Sequence, residues 1–279
     1  MRRRHKHGQV VIIGGAEDRE GEARILREFV RLAGGERARI SIIAAASENA
    51  SEIAASYTEV FLRLGASEAH DLKIVGRKDA DGAEAVAAVE HATGVFFTGG
   101  NQVRITRTLG GTRLDTILHK RHAEGLVLAG TSAGAAIMSS VMITGGPHVS
   151  TLRAGGVELS PGMEFVPGVL IDQHFEERGR LRRLLSAVAQ HPHDIGLGID
   201  ENTAAVVSGH RLEVIGAGTV TIIDAGELTY TNLNELERDG LLAICGVKIH
   251  ILPTGYRFDL QNREPIMGDN SPVVEGVDI

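Results

Sequence analysis

The sequence has few of the features that mark secreted, membrane-bound or nucleic-acid-binding proteins. It holds one cysteine, Cys245, which cannot form an internal disulfide and fits a reducing compartment. No apolar run reaches the roughly 18 residues that cross a bilayer. The opening MRRRHKHGQVVIIGG places a glycine pair where the apolar core of a signal peptide would continue. We therefore expect a cytoplasmic protein with no membrane partner.

Basic residues are also in the minority. The 29 lysines and arginines against 36 aspartates and glutamates give a net charge of -7, which argues against a nucleic-acid-binding surface spread over the protein. The densest basic stretch is the opening RRRHKH, and we interpret residues 1–8 as a solvated, disordered tail. Nucleic acid is therefore not an expected partner.

The chain also has no internal repeat, low-complexity segment or proline-rich linker that would divide it. With 279 residues, 43% of them apolar, it can bury one large core. Short β-branched apolar runs, typical of strands buried on both faces, cover residues 9–15, 39–47, 94–100 and 125–132. Apolar residues recur at three and four positions, as in helices, over residues 20–35, 49–65 and 81–94.

This alternation of strands and helices predicts an α/β fold, with a mostly parallel sheet and helices on both of its faces. After about residue 203 the pattern changes to period two around turn residues. We therefore expect residues 205–279 to form a C-terminal antiparallel β extension of the same domain.

Ligands of open α/β sheets bind beyond the carboxyl ends of the strands. The first strand ends there in GGAED, residues 14–18, which resembles a dinucleotide-binding turn only in part. It lacks the third glycine of that motif and places two acids where a pyrophosphate would lie. Nucleotide binding is not expected at this turn.

The stretch GLVLAGTSAGAAIMSS, residues 125–140, matches the G-x-S-x-G pattern of a nucleophile elbow. Its small residues let the chain turn sharply from a strand into a helix, so that the hydroxyl of Ser132 stands clear of the sheet edge. The alternative is a plain strand-to-helix junction in which Ser132 is an N-cap. The pattern alone does not separate the two.

A serine nucleophile needs a base, and the base needs an orienting acid. In the stretch GVLIDQHF, residues 168–175, His174 directly follows an apolar strand, and we expect it at the same sheet edge as Ser132. The next run, IGLGIDENTAAVV, brings Glu201 to that edge. Glu201 is the acid in the simplest assembly, but either neighbouring acid, Asp172 or Asp200, also fits.

A developing oxyanion needs two hydrogen-bond donors. The backbone N–H of Ala133 is one of them. The turn at Gly99 and Gly100 can bring the other close, because no side chain obstructs it. This chemistry requires neither a metal nor an organic cofactor, and we expect none.

Five separated motifs resemble one family of serine peptidases. They are GGAED, FFTGGNQ, GTSAGA, DQHFEERGRLRRL and GIDENTA, in this order. Together they are similar to the cyanophycinases, which belong to a serine peptidase family that also contains aspartyl dipeptidase. The resemblance implies a homodimer and a sheet like that of class I glutamine amidotransferase domains, with serine in place of their cysteine. It also implies a triad of Ser132, His174 and Glu201, which favours Glu201 as the acid.

The resemblance further implies a substrate. Cyanophycin is a polyaspartate with arginine joined to each β-carboxyl group. The implied enzyme is a serine-type exopeptidase that releases β-aspartyl-arginine dipeptides through an acyl-enzyme. The polar pocket of the family maps onto Gln102, Asp172, Gln173, Arg178, Arg180 and Arg183. Asn101 occupies a position at which members of the family also have an acidic residue.

The pocket arginines suit the carboxylates of such a substrate, since a guanidinium holds a carboxylate with two hydrogen bonds. If a helix begins near Phe175, Arg180 and Arg183 share one of its faces and Arg178 lies one turn from His174. The alternative is an amphipathic helix with a wet basic face.

The two acids of the first turn suit the other charge of the substrate. Glu17 and Asp18 follow the first strand, and we predict that they receive the substrate guanidinium. The alternative is that they cap the following helix.

Three other functions fit part of the pattern. An α/β-hydrolase-type esterase shares the elbow but orders its triad serine, acid, histidine, and would need His210 or His250 as base. An aspartyl dipeptidase of the same family is nearest in chemistry, and a non-catalytic binding module would have to preserve all three groups by chance. We expect one catalytic domain, residues 9–279, and the resemblance implies that it acts on cyanophycin.

Overall fold

The structure, a computed structural model, describes residues 7–146, 151–237 and 240–267. The strands are β1 (Val10–Ile13), β2 (Arg39–Ile43), β3 (Glu68–Asp71), β4 (Gly94–Phe97), β5 (Val127–Thr131), β6 (Val141–Gly145), β7 (Glu158–Pro161), β8 (Val169–Gln173), β9 (Ile195–Ile199), β10 (Thr203–Ser208), β11 (Arg211–Gly216), β12 (Thr219–Asp224), β13 (Tyr230–Thr231), β14 (Ile244–Cys245), β15 (Lys248–Pro253), β16 (Arg257–Asp259) and β17 (Glu264–Pro265). The helices are α1 (Arg24–Leu32), α2 (Ala50–Arg63), α3 (Arg77–Ala80), α4 (Ala83–His91), α5 (Gln102–Leu109), α6 (Arg113–Ala123), α7 (Ala133–Ala136) and α8 (Leu181–Gln190). Short 3₁₀ helices span Gly35–Arg37 and Leu233–Glu235.

A nine-stranded sheet runs through the centre in the order β17-β16-β11-β10-β1-β5-β4-β2-β3. Strands β1 to β5 are parallel, and Ile13 at the end of β1 lies opposite Thr131 at the end of β5. Side chains of β1 alternate between two hydrophobic clusters, because successive residues of a strand point to opposite faces. Helices α1 and α2 cover one face, and α4, α5 and α6 cover the other. The predicted α/β class is therefore confirmed.

The C-terminal strands extend the same sheet instead of standing apart from it. Strand β10 pairs antiparallel with β1, and β11, β16 and β17 follow as further antiparallel neighbours. The predicted antiparallel extension thus begins beside the first strand. Cys245, which its apolar surroundings predict to be buried, is exposed in the two-stranded sheet of β13 and β14.

Strands β8 and β9 lie in a second sheet, of order β15-β12-β9-β8, so the prediction that His174 follows a strand of the central sheet is wrong. The position beside β1 is taken by β10, which leaves β9 after a three-residue turn and pairs there. The carboxyl ends of β8 and β9 nevertheless reach the end of β1. The N–H of His174 donates to Gly14 O at 2.8 Å, and the N–H of Asn202 donates to Gly15 O at 2.8 Å.

The N-terminal tail prediction falls mostly on residues 1–6, which lie outside the described residues. Gly8 belongs to the fold, since it is buried and its N–H donates to His122 O at 2.8 Å. None of the helices in the described ranges has the length and apolar composition needed to cross a membrane.

Candidate active site

Ser132 follows β5 in a strained turn, with φ of 52° and ψ of -110°. A Cβ on Gly130 would lie 2.1 Å from Gly134 O, and one on Gly134 would lie 2.3 Å from Phe97 O, so only glycine fits at either position. The side chain of Ser132 makes no N-cap hydrogen bond, unlike the alternative drawn from the sequence. The helix that follows, α7, is a single turn.

The side chains of Ser132, His174 and Glu201 form a continuous hydrogen-bonded chain. Ser132 Oγ lies 3.0 Å from His174 Nε2, and His174 Nδ1 lies 2.5 Å from Glu201 Oε1. Such an arrangement lets an imidazole take the proton of an attacking hydroxyl while the carboxylate fixes the orientation and tautomer of the ring. The order along the chain is serine, histidine, acid, which differs from the order in α/β-hydrolases.

The two other acids considered from the sequence have different partners. Asp200 accepts the N–H of Thr219 at 2.9 Å and its hydroxyl at 2.7 Å. Asp172 is 1% exposed and accepts Arg183 Nε at 2.8 Å. The structure therefore brings Glu201, and neither neighbouring acid, into contact with His174.

Backbone carbonyls at the end of β1 bind the segments that carry Ser132, His174 and Glu201. Three consecutive carbonyls, of residues 13 to 15, accept the N–H groups of Ser132 at 3.0 Å, His174 at 2.8 Å and Asn202 at 2.8 Å. Gly15 has φ of +109°, and a Cβ there would lie 2.3 Å from His174 Cε1. The glycine pair of GGAED thus permits close backbone contact with the imidazole. The sequence displays the pair but not the ring that packs on it.

Two of the predicted oxyanion donors, Gly99 and Ala133, lie next to Ser132. A Cβ on Gly99 would be 3.5 Å from Ser132 Cβ, and Gly100, with φ of +138°, packs against the carbonyl of Ala46. Within the described parts of the chain, the N–H groups of Gly99, Gly100 and Ala133 donate to no protein acceptor. Because Ala133 is 1% exposed, its N–H is a buried donor with no acceptor among the described residues.

Asn101 and Gln102 both have partners within the protein. Asn101 is the N-cap of α5, where its side chain accepts the N–H of Arg104 at 3.2 Å. Gln102 Nε2 donates to Ile143 O at 2.8 Å and so links α5 to β6. Asn101 therefore caps its own helix, and only Gln102 joins two structural elements beside the glycine turn.

The condition that a helix begins near Phe175 is not met: residues 175–180 are turns, and Gly179 adopts φ of +57°. Helix α8 begins at Leu181, so Arg178 and Arg180 precede it.

The three pocket arginines differ in their partners. Arg180 contacts Asp172 and donates to Gln173 Oε1 at 2.9 Å, and burial lowers the pKa of its guanidinium to about 10. Arg183 pairs with Asp172 through two nitrogens. Arg178 is exposed, and its guanidinium makes no bond to another described residue.

Glu17 and Asp18 differ from each other in environment. Asp18 accepts the N–H groups of Ala23 at 2.9 Å, Gly21 at 2.8 Å and Glu20 at 3.0 Å, which lower the pKa of its carboxyl group. It thereby closes the loop before α1, whereas the N-cap of that helix is Ala23, which makes no side-chain capping bond. Glu17 is 6% exposed and faces the protein interior.

The carboxylate of Glu17 accepts hydrogen bonds from the hydroxyls of Tyr57 and Thr131. Neither of these partners was singled out from the sequence. Thr131 adjoins Ser132 and was available as a signal, whereas Tyr57 lies in α2, far away along the chain.

A family model described as peptidase family S51 matches residues 10–215. A cyanophycinase of Nostoc sp. (strain PCC 7120 / SAG 25.82 / UTEX 2576) is 41% identical over 256 residues, which cover 91% of this chain and 86% of that protein. A cyanophycinase of Geminocystis herdmanii (strain PCC 6308) is 38% identical over 268 residues, which cover 95% of this chain and 98% of that protein.

Solved structures show the same fold. A peptidase from an acI-B1 Actinobacterium superposes with a TM-score of 0.67 at 25% identity, covering 92% of this chain and 98% of its own. A putative peptidase E protein from Listeria monocytogenes EGD-e superposes with a TM-score of 0.56 at 16% identity, covering 76% of this chain and 99% of its own. The architecture is the class I glutamine amidotransferase-like one that the resemblance implied. With the family match extending over most of the sheet and the whole of the Ser132 region, the chain belongs to peptidase family S51 and is a serine peptidase.

Proposed function

We propose that the chain hydrolyses cyanophycin, with Ser132 as nucleophile, His174 as general base and Glu201 as orienting acid, and releases β-aspartyl-arginine dipeptides. One observation carries the proposal: Ser132 Oγ lies 3.0 Å from His174 Nε2, within reach for proton transfer. The names of the curated relatives supply the substrate, since relatives at 38% and 41% identity are cyanophycinases.

In the first step, Ser132 Oγ attacks the scissile carbonyl carbon while His174 Nε2 takes the hydroxyl proton. Glu201 accepts the hydrogen bond from Nδ1–H and stabilises the imidazolium. The N–H of Ala133, with that of Gly99 or Gly100, stabilises the oxyanion. Collapse of the intermediate expels the amine, which takes the proton from Nε2, and leaves an acyl-enzyme on Ser132.

In the second step, a water molecule gives a proton to His174 Nε2 and attacks the acyl carbon. The same backbone donors stabilise the second oxyanion. When that intermediate collapses, Ser132 Oγ leaves with the proton from Nε2, so the free enzyme is restored. The released product carries a new carboxylate.

We propose that Arg178 meets a substrate carboxylate. Its guanidinium is exposed and unpartnered within the described residues, and the N–H of its main chain donates to His174 O at 3.2 Å. Arg180 and Arg183 orient Asp172 and Gln173, so these arginines act on the substrate through the pocket that they hold together.

Purified protein and insoluble cyanophycin test the proposal. We expect the suspension to clear and mass spectrometry to detect β-aspartyl-arginine, whereas S132A should lose at least about 10⁴-fold of the turnover and keep its circular dichroism spectrum. Release of products from simple α-aspartyl dipeptides without clearing would support the dipeptidase instead. Hydrolysis of p-nitrophenyl esters alone would support an esterase, and retained activity in S132A would reject the nucleophile.

A further inference from the structure

We propose that Glu17 is a positioning residue for the nucleophile and does not bind the substrate. The inference rests on the proposed function of Ser132 and adds a residue to that site. Glu17 lies in the turn after β1, and both of its carboxylate oxygens are occupied inside the protein. Tyr57 Oη donates to Oε1, and Thr131 Oγ1 donates to Oε2 at 2.5 Å.

The first partner fixes the carboxylate in space. Tyr57 is a buried residue of α2, and its ring centroid lies 4.6 Å from that of Phe96 in β4. Burial and the adjacent charge of Glu17 raise the pKa of the Tyr57 phenol well above its usual value, so the phenol stays protonated and remains a donor. Glu17 is thus anchored to the helix layer that covers the sheet.

The second partner transmits this anchoring to the elbow. Thr131 is the last residue of β5 and immediately precedes Ser132, whose backbone has φ of 52° and ψ of -110°. Since a β-branched side chain has few χ1 rotamers, holding its hydroxyl also restricts its backbone. Release of Thr131 would let Ser132 relax toward ordinary dihedral angles and turn Oγ away from His174 Nε2.

The burial of Glu17 also favours an internal role. No lysine, arginine or histidine of residues 7–146, 151–237 and 240–267 forms an ion pair with Glu17. A buried carboxylate without a cation is unfavourable unless hydrogen bonds compensate for its lost hydration. A guanidinium of the substrate would have to displace two hydroxyl donors to reach it.

Three single variants and one double variant separate the two roles when kcat and KM are measured on a soluble β-aspartyl-arginine oligomer. Glutamine at position 17 can accept from Tyr57 and donate to the hydroxyl oxygen of Thr131. We therefore expect E17Q to keep both constants within about 3-fold, and E17A to lower kcat by about 10- to 100-fold with KM unchanged. T131V should lower kcat by the same factor as E17A. The double variant E17A/T131V should have a kcat no lower than that of the slower single variant.

A large rise in KM for E17Q, with T131V unaffected, would overturn the proposal in favour of guanidinium binding. A second readout covers the case in which E17A does not fold. The rate at which a fluorophosphonate labels Ser132 needs no cyanophycin, and it should fall in T131V by the same factor as kcat. Unchanged labelling in folded T131V would also overturn the proposal. If the wild-type protein is labelled but leaves cyanophycin intact, the substrate assignment fails while the Glu17 test still gives its answer.

Discussion

Ser132 adopts a backbone conformation that costs an L-residue about 1–3 kcal/mol. Part of this cost is offset because its N–H donates to Ile13 O at 3.0 Å and because the glycines on either side permit close backbone packing. The result is a hydroxyl directed at an imidazole instead of at its own helix. Strain at this residue is therefore part of how the side chain is aimed.

The acid beside His174 gives the first prediction at the residue scale. E201Q should lower kcat by about 10²- to 10⁴-fold, because the amide no longer stabilises the imidazolium or fixes its tautomer. D200N is the matched control, since Asp200 holds Thr219 and does not contact His174. D200N should lower the melting temperature and keep most of the turnover. The opposite pattern, a slow D200N and a fast E201Q, would assign the acid to Asp200.

The glycine under the imidazole gives the second prediction at this scale. G15A places a Cβ that would lie 2.3 Å from His174 Cε1, so the ring must move and kcat should fall by about 100-fold. G65A is the control, because Gly65 also has a positive φ, +96°, but a Cβ added there would meet no other atom within 4 Å. It should cost about 1–2 kcal/mol of stability and leave kcat unchanged. Equal losses of activity in both variants would show that steric contact with His174 is not the cause.

At the scale of elements, the loop between β1 and α1 depends on Asp18. Its carboxyl pKa is lowered from 3.8 by the N–H groups of Ala23, Gly21 and Glu20. Because the folded pKa lies below the unfolded one, the stabilisation is present above pH 3.8 and is lost as the pH falls through the folded pKa.

Asp18 therefore gives a prediction for stability against pH. D18N should melt at a lower temperature than the wild type at pH 7, and the difference should shrink as the pH falls below 3.8. E90Q is the control, because the side chain of exposed Glu90 in α4 makes no hydrogen bond in the described ranges. Thermal unfolding followed by circular dichroism measures both. A difference for D18N that is constant with pH would contradict the role given to its charge.

Elements with a local signature were predictable from the sequence. The runs 9–15, 39–47, 94–100 and 125–132 became strands because they are apolar on both faces and end in glycine or another small residue. The second sheet was not predictable in this way, because its pairings join β9 to β12 and β8, and no local pattern specifies which apolar strands meet. The absence of a helix near Phe175 was also not predictable, because it depends on the left-handed φ of Gly179, which does not fit an α-helix.

Some features of the candidate site were likewise predictable from the sequence, and others were not. The elbow pattern and the position of His174 after a strand predicted that Ser132 and His174 would lie together, although β8 belongs to the second sheet and not to the central one. The residues alone could not choose among three acids, because that choice depends on which carboxylate faces the imidazole. The ion pair of Arg183 with Asp172 and the buried contacts of Glu17 also depend on side-chain direction, which spacing along the chain does not determine.

At the scale of the whole molecule, we propose that the described residues from position 9 onward unfold as one unit. Strand β10 pairs with β1 inside the central sheet, so the C-terminal strands cannot separate without exposing β1. Urea unfolding should give coincident transitions by circular dichroism and by loss of fluorophosphonate labelling. Two separated transitions would show that the C-terminal strands form an independent domain.

The most direct test of the central claim is to map where a fluorophosphonate bonds to the protein. Peptide mass spectrometry of the wild-type protein should find one phosphonyl group, on Ser132, and H174N should lower the labelling rate by about 100-fold or more because the hydroxyl loses its base. A phosphonyl group on another residue, or labelling of Ser132 at the same rate in H174N, would contradict the account.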